Sequence, residues 1–99
     1  MDTDSLIDSV TSWGRDKGLN DAKAQLNKTI EEVGEIAHEI TRNKIFNNSL
    51  LVDAIGDTMV TLIILADICG YDISKCLESA YKEIANRKGK TENGTVVKE

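Results

Sequence analysis

Gln25-Leu26-Asn27-Lys28-Thr29-Ile30-Glu31-Glu32-Val33-Gly34-Glu35 spaces its apolar residues three and four apart, and that period decides the fold. Such spacing lines one side of an α-helix, whereas a strand would alternate. Followed in both directions, the stripe Leu26, Ile30, Val33, Ala37 and Ile40 predicts a long helix capped by Asn20 or Asp21 and running to about Arg42, with that stripe buried. Gln25, Lys28, Glu32, Glu35 and Glu39 fall within an arc roughly 80° wide, directly beside the apolar stripe and not opposite it. Glu31 projects to another side.

The flanking segments read as helices too. Leu6, Ile7, Val10 and Trp13 mark a first helix from about Asp4 to Lys17, stopped by Gly18. Asn47-Asn48-Ser49 supply the capping signal for a third helix from about Leu50 to Ile68, the most apolar segment and so the expected centre of the fold. Gly70 ends it, and Asp72 or Ser74 caps a fourth helix through about Arg87 with Leu77, Ala80, Tyr81 and Ile84 on its apolar side. Asn93-Gly94 within Thr91 to Val97 is a tight-hairpin signal, so a short β-ribbon or tail is expected after an all-α domain.

The chain has 99 residues, 40% of them hydrophobic and 29% charged, which describes a single globular domain with a modest core. A net charge of −5 and a pI near 4.8 exclude a nucleic-acid backbone or an anionic membrane as the main partner, since both need a basic face. Cys69 and Cys76 match neither a zinc pair nor a disulfide framework, and the acidic N-terminus is unlike a basic signal peptide. The most apolar run, Met59 to Ile68, is shorter than the roughly 20 residues that span a bilayer. A cytoplasmic location is the expectation.

Chemistry is expected where acids meet the core edge. Glu32, Glu35 and Glu39 stack with a single lysine, and Asp53 and Asp57 stand one turn apart in Asp53-Ala54-Ile55-Gly56-Asp57. Like carboxylates that lose hydration need a compensating cation, and a hard ion with oxygen ligands, Mg²⁺ or alternatively Mn²⁺, meets that need. Gly34 and Gly56, one in each acid cluster, are read as permitting close helix approach. Lys28 serves either a phosphate oxygen or a salt bridge to Glu32. His38 has no Cys or His at ligand spacing and reads as a surface residue.

These two acid motifs resemble the EExxE and ExxD signature of the MazG-like all-α nucleoside triphosphate pyrophosphohydrolases, relatives of the dimeric dUTPases. The resemblance extends from Trp13 to the tail with Asn86, Arg87, Lys88 and Lys90. It implies a four-helix bundle, carboxylate-bound Mg²⁺, and cleavage of a nucleoside triphosphate to a monophosphate and pyrophosphate. It further implies a homodimer, or a tetramer of paired dimers, with sites near subunit interfaces. By position Glu32, Glu35 and Asp57 are the implied metal ligands, and Glu32 or Glu35 the implied water-orienting group. The second motif departs at Ala54, where the family pattern has a glutamate; Asp53 is the substitute, or the site holds fewer ions. Trp13 is placed near a base pocket, its alternative being core. Gln25 and Lys28 are expected at the substrate, and Lys82, Asn86, Arg87 and Lys90 hold phosphates or simply complement a helix C-terminus. The competing reading is a non-catalytic helical interaction module.

Overall fold

In a computed structural model the chain is described over residues 1–87 and 89–98, with backbone alone at 90–92 and 96–98. The element order is α1 (Thr3–Asp16), α2 (Ala22–Arg42), α3 (Ser49–Ile68), α4 (Ile73–Ala85), β1 (Gly89–Glu92) and β2 (Thr95–Lys98). Side-chain caps set the starts. Asp2, Asp21, Asn48 and Asp72 each accept hydrogen bonds from the first free N–H groups of the helix that follows. Gly18 and Gly70 set two of the stops: at φ +73° and +83° they reverse the chain, and Leu19 and Tyr71 then donate N–H to Gly14 and Ala66 carbonyls. The antiparallel β1–β2 hairpin turns at Asn93-Gly94, both at positive φ as a tight primed turn needs.

α3 is central and packs against each of the other three helices, most extensively against α2. Contacts between Gln25 and Thr61 at one end and Glu39 and Asn48 at the other make α2 and α3 an antiparallel hairpin. α1 covers one face of it. Gly14 lies against Ile64, and a Cβ at Gly14 would come within 3.0 Å of the Ile64 side chain, so here a glycine lets two helices close up. α4 meets α3 much more sparsely and buries no side chain fully.

The buried side of α2 differs from the expectation. Gln25, Thr29 and Glu39 are buried and Glu32 and Ile36 half-buried, all turned toward α3. The stripe Leu26, Ile30, Val33, Ala37 and Ile40 follows these residues by one position each, about 100° further round, and is exposed, with Ile30 60% accessible. α3 repeats the pattern: Leu51, Ala54 and Thr61 are buried, while Val52, Ile55 and Leu62, each one position later, are exposed, as is Met59 after half-buried Thr58. On α4, Leu77, Ala80, Tyr81 and Ile84 are exposed too. The helices of one chain therefore do not close into a bundle around one core. The close approach expected at Gly34 and Gly56 is also absent, since a Cβ at either would meet nothing within 4 Å.

The polar α2–α3 seam is satisfied internally. Thr29, Thr58 and Thr61 hydroxyls donate to carbonyls one turn back, and the Gln25 amide donates to the Thr61 carbonyl at 3.1 Å. As a whole helix α3 is, unlike its Met59–Ile68 portion, long and apolar enough to cross a membrane by length and composition. It also carries Asp53, Asp57 and Asp67 and lies against α1 and α2, as the central helix of a folded domain does.

Candidate functional site

Where α1 crosses the α2–α3 hairpin, a cleft of about 480 Å³ opens, lined by Trp13, Leu19, Ala24, Gln25, Lys28, Glu32, Asp57, Val60, Thr61 and Ile64. Helical geometry puts these side chains together. Lys28 follows Gln25 by three positions and Asp57 follows Ala54 by three, so both turn about 60° from the seam, toward α1 and away from the bare stripes. Trp13 and Leu19 arrive from α1 and the turn after it, and Val60 and Ile64 add an apolar floor. Trp13 is half exposed and not core.

One end of the cleft is charged. Lys28 Nζ lies 3.3 Å from Glu32 Oε1 and 3.5 Å from Glu31 Oε2. Hydrogen bonding and attraction from Glu32, reinforced by Glu31, push the Lys28 pKa up, so the ammonium stays charged. The salt bridge to Glu32 is thus formed, and Glu31, though turned outward, shares the lysine. Gln25 is held rigidly by its bond to Thr61, with only 7% of its surface accessible.

Of the expected ligands, Glu32 and Asp57 reach this cleft from different helices. Glu35 and Asp53 are exposed one turn from each of them. Among the described residues no three acidic, histidine or cysteine side chains converge into a metal-sized group. Glu32 on α2 and Asp57 on α3 line the cleft, and Glu35 and Asp53 carry two further carboxylates on exposed side chains a turn away, so a third oxygen ligand reaches that pair only if one of these side chains turns in.

The cations of α4 are not brought to the cleft. Lys82 pairs with Glu78 and Arg87 with Glu83, each at 3.0 Å and one turn apart, and the Asn86 amide donates to the Lys82 carbonyl at the helix end. These are helix-terminus roles. The Lys90 side chain and all of Lys88 lie outside the described residues. Glu39 is likewise removed from the acid stripe: its Oε1 accepts from the Asn43 and Asn48 amides at 3.1 and 3.0 Å and ties the end of α2 to the cap of α3. Cys69 and Cys76 are free and exposed.

The Arg15–Asp67 pair belongs to no motif of the sequence. The guanidinium donates to both carboxylate oxygens at 2.9 and 2.6 Å and fixes α1 on α3 beside the cleft. That bond holds the Asp67 pKa down and the Arg15 pKa up. No local pattern marks it, because its members are 52 residues apart. A larger cleft of about 730 Å³ lies between α1, α3 and the start of α4, where Asp4, Asp8, Asp67, Asp72 and Glu78 outnumber Arg15 and Lys75, which makes it a poor seat for an anion.

Over an alignment of 68 residues that covers 66% of the chain, it is 32% identical to an uncharacterized 18.2 kDa protein in the rep-hol intergenic region of Haemophilus phage HP1 (strain HP1c1). This chain spans 40% of that protein's length. No protein-family model matches the chain, and no solved structure does.

Proposed function

We propose that this chain is a MazG-like nucleoside triphosphate pyrophosphohydrolase, dependent on Mg²⁺ or Mn²⁺, that converts (deoxy)nucleoside triphosphates to monophosphate and pyrophosphate in the cytoplasm as nucleotide-pool housekeeping. One observation carries the reading: a single cleft joins a half-exposed Trp13 and an apolar floor to a charged end where Lys28, Glu32 and Asp57 stand. An aromatic ring over an apolar floor suits a nucleobase, and a cation beside carboxylates suits a metal-bound polyphosphate. The EExxE-like motif Glu31 to Glu35, with Asp57 ending its partner motif, supports the same reading.

Glu32 and Asp57 would hold the ion, with Glu35 and Asp53 turning in from one helical turn away. When bound, the ion neutralises the triphosphate and acidifies a water. The chain supplies the rest. Trp13 and Leu19 bracket the base, Gln25 keeps the wall fixed through Thr61, and Glu35 or Glu32 orients the attacking water. Lys28, held between Glu31 and Glu32, needs only a rotamer change to donate to a phosphate oxygen. The α4 cations are not part of the cleft in one chain, so no phosphate contact is given to Lys82, Asn86 or Arg87. A homo-oligomer is part of the proposal.

The test is pyrophosphate release from a panel of nucleoside triphosphates with and without Mg²⁺. Glu35→Ala and Asp57→Ala should each lose roughly a hundredfold in turnover while remaining folded. Mg²⁺ at millimolar concentration should raise the melting temperature of the unaltered chain through preferential binding to the folded state. The bare apolar stripes favour one rival, a non-catalytic helical interaction module. Absence of metal-dependent turnover across the panel, with an unmoved melting curve, would establish that rival instead.

A further inference from the structure

We propose that Lys28 is the resident counter-ion of Glu32, so that a divalent cation and a polyphosphate enter the cleft cooperatively: the carboxylate passes from the ammonium to the cation while the ammonium passes to the phosphate. The inference rests on the proposed function and deepens it by coupling its two ligands. Lys28 is the only cation lining the cleft among the described residues, and it shares the lining with two carboxylates, Glu32 and Asp57. Its Nζ stands 3.3 Å from Glu32 Oε1 and 3.5 Å from Glu31 Oε2. A carboxylate that the ion needs is therefore already paired.

Exclusion follows from distance and charge. An ion on Glu32 sits roughly 2 Å from a carboxylate oxygen, and an ammonium kept at that carboxylate would lie within a few ångströms of a double positive charge. One of the two has to leave, and exposure says which. The Glu32 side chain is 15% exposed, against 55% for Lys28 and 69% for Glu31. Glu32 is thus fixed against the seam, while the flexible lysine stem can swing outward with Glu31 as its remaining partner. Glu31, which projects away from the other acids, takes a part in this way: it keeps the displaced ammonium within reach of a phosphate. Each ligand then lowers the cost of the other. A cation alone leaves the ammonium without Glu32, and a polyphosphate alone meets Glu32 and Asp57; together they pair the charges of the cleft. By linkage, the factor by which one ligand tightens the other is the same in both directions.

Binding of Mn²⁺ to the full chain, read from loss of the free-ion electron paramagnetic resonance signal, tests the exchange without turnover. Lys28→Met should bind the ion roughly threefold or more tightly than the unaltered chain, as release from a part-exposed ion pair allows. Lys23→Met, which removes the same charge from the same helix outside the cleft, should leave the affinity within about twofold. In the unaltered chain an α,β-methylene nucleoside triphosphate, followed by the fluorescence of the single tryptophan, Trp13, should bind more tightly with Mg²⁺ than without it, and Lys28→Met should shrink that gain. Mn²⁺ affinity in Lys28→Met equal to or below that of the unaltered chain overturns the exchange while the proposed function stands, and so does equal tightening in Lys23→Met. If Lys28→Met does not fold, Lys28→Gln carries the same expectation, and analogue binding to the unaltered chain that is indifferent to Mg²⁺ overturns the coupling without any variant. No Mn²⁺ binding by any form overturns the function and the inference together.

Discussion

Glu39 shows how the same residue type serves different ends on one helix. Its spacing places it with Glu32 and Glu35, yet it is only 6% exposed and receives the amides of Asn43 and Asn48. Asn48 in turn accepts from the Leu50 and Leu51 N–H groups, so one carboxylate holds the cap that starts α3. Removing a buried acceptor from such a network costs the desolvation of the donors left behind. Glu39→Ala is therefore expected to destabilise by about 1–3 kcal/mol in urea unfolding, and Glu39→Gln, which keeps an oxygen acceptor, by about 1 kcal/mol or less. Neither should change pyrophosphate release per folded molecule. A specific loss of turnover in Glu39→Gln would instead give Glu39 a part in the proposed site. The sequence could not make this distinction, since Glu39's partners lie beyond the helix end and its wheel position alone matches the ligand stripe.

At the scale of elements, α1 decides whether the cleft exists, because it brings Trp13 and leans on α3 at Gly14 and through Arg15–Asp67. A valine at Gly14 has to displace Ile64, so Gly14→Val should cost about 1–3 kcal/mol by overpacking. The ion pair has a pH signature. Asp67's folded-state pKa is lowered from 3.8, so the folded chain holds its proton less tightly than the unfolded chain. The pair's contribution is thus complete above the ordinary aspartate range and is lost as the pH falls below 3.8 through the lowered value. Because the Arg15 side chain is 69% exposed, the step is small. Stability measured from pH 5 downward should show it in the unaltered chain and lack it in Asp67→Asn; identical profiles would mean that Arg15–Asp67 does not fasten α1. Helix ends were legible in the sequence because they depend on local capping chemistry at Asp21, Asn48, Asp72, Gly18 and Gly70. The Arg15–Asp67 contact was not, since its members meet only after α1 has folded back on α3.

For the whole molecule, a radius of gyration of 15.8 Å exceeds the roughly 12.6 Å expected of a compact domain of this length. The difference reflects helices whose apolar stripes stay uncovered within one chain. Leu26, Ile30 and Val33 carry a correct helical period, but periodicity reports only that a stripe will be covered, and in one chain the polar stripe beside it faces α3. The cleft was legible as far as Glu32, Asp57, Gln25, Lys28 and Trp13; Leu19, Val60 and Ile64 are ordinary apolar residues whose role appears only once three elements meet. The same openness orders local stability. α3 is braced by α1 and α2, whereas α4 leaves Leu77, Tyr81 and Ile84 exposed and touches α3 sparsely. Backbone amides held only by a helix's own hydrogen bonds exchange through local opening, while those beneath packed neighbours wait for global unfolding. Hydrogen exchange should therefore release α4 first and the middle of α3, around Ala54 to Ile64, last, with α4 protection orders of magnitude lower. Equal protection across α3 and α4 would mean that α4 is covered in solution.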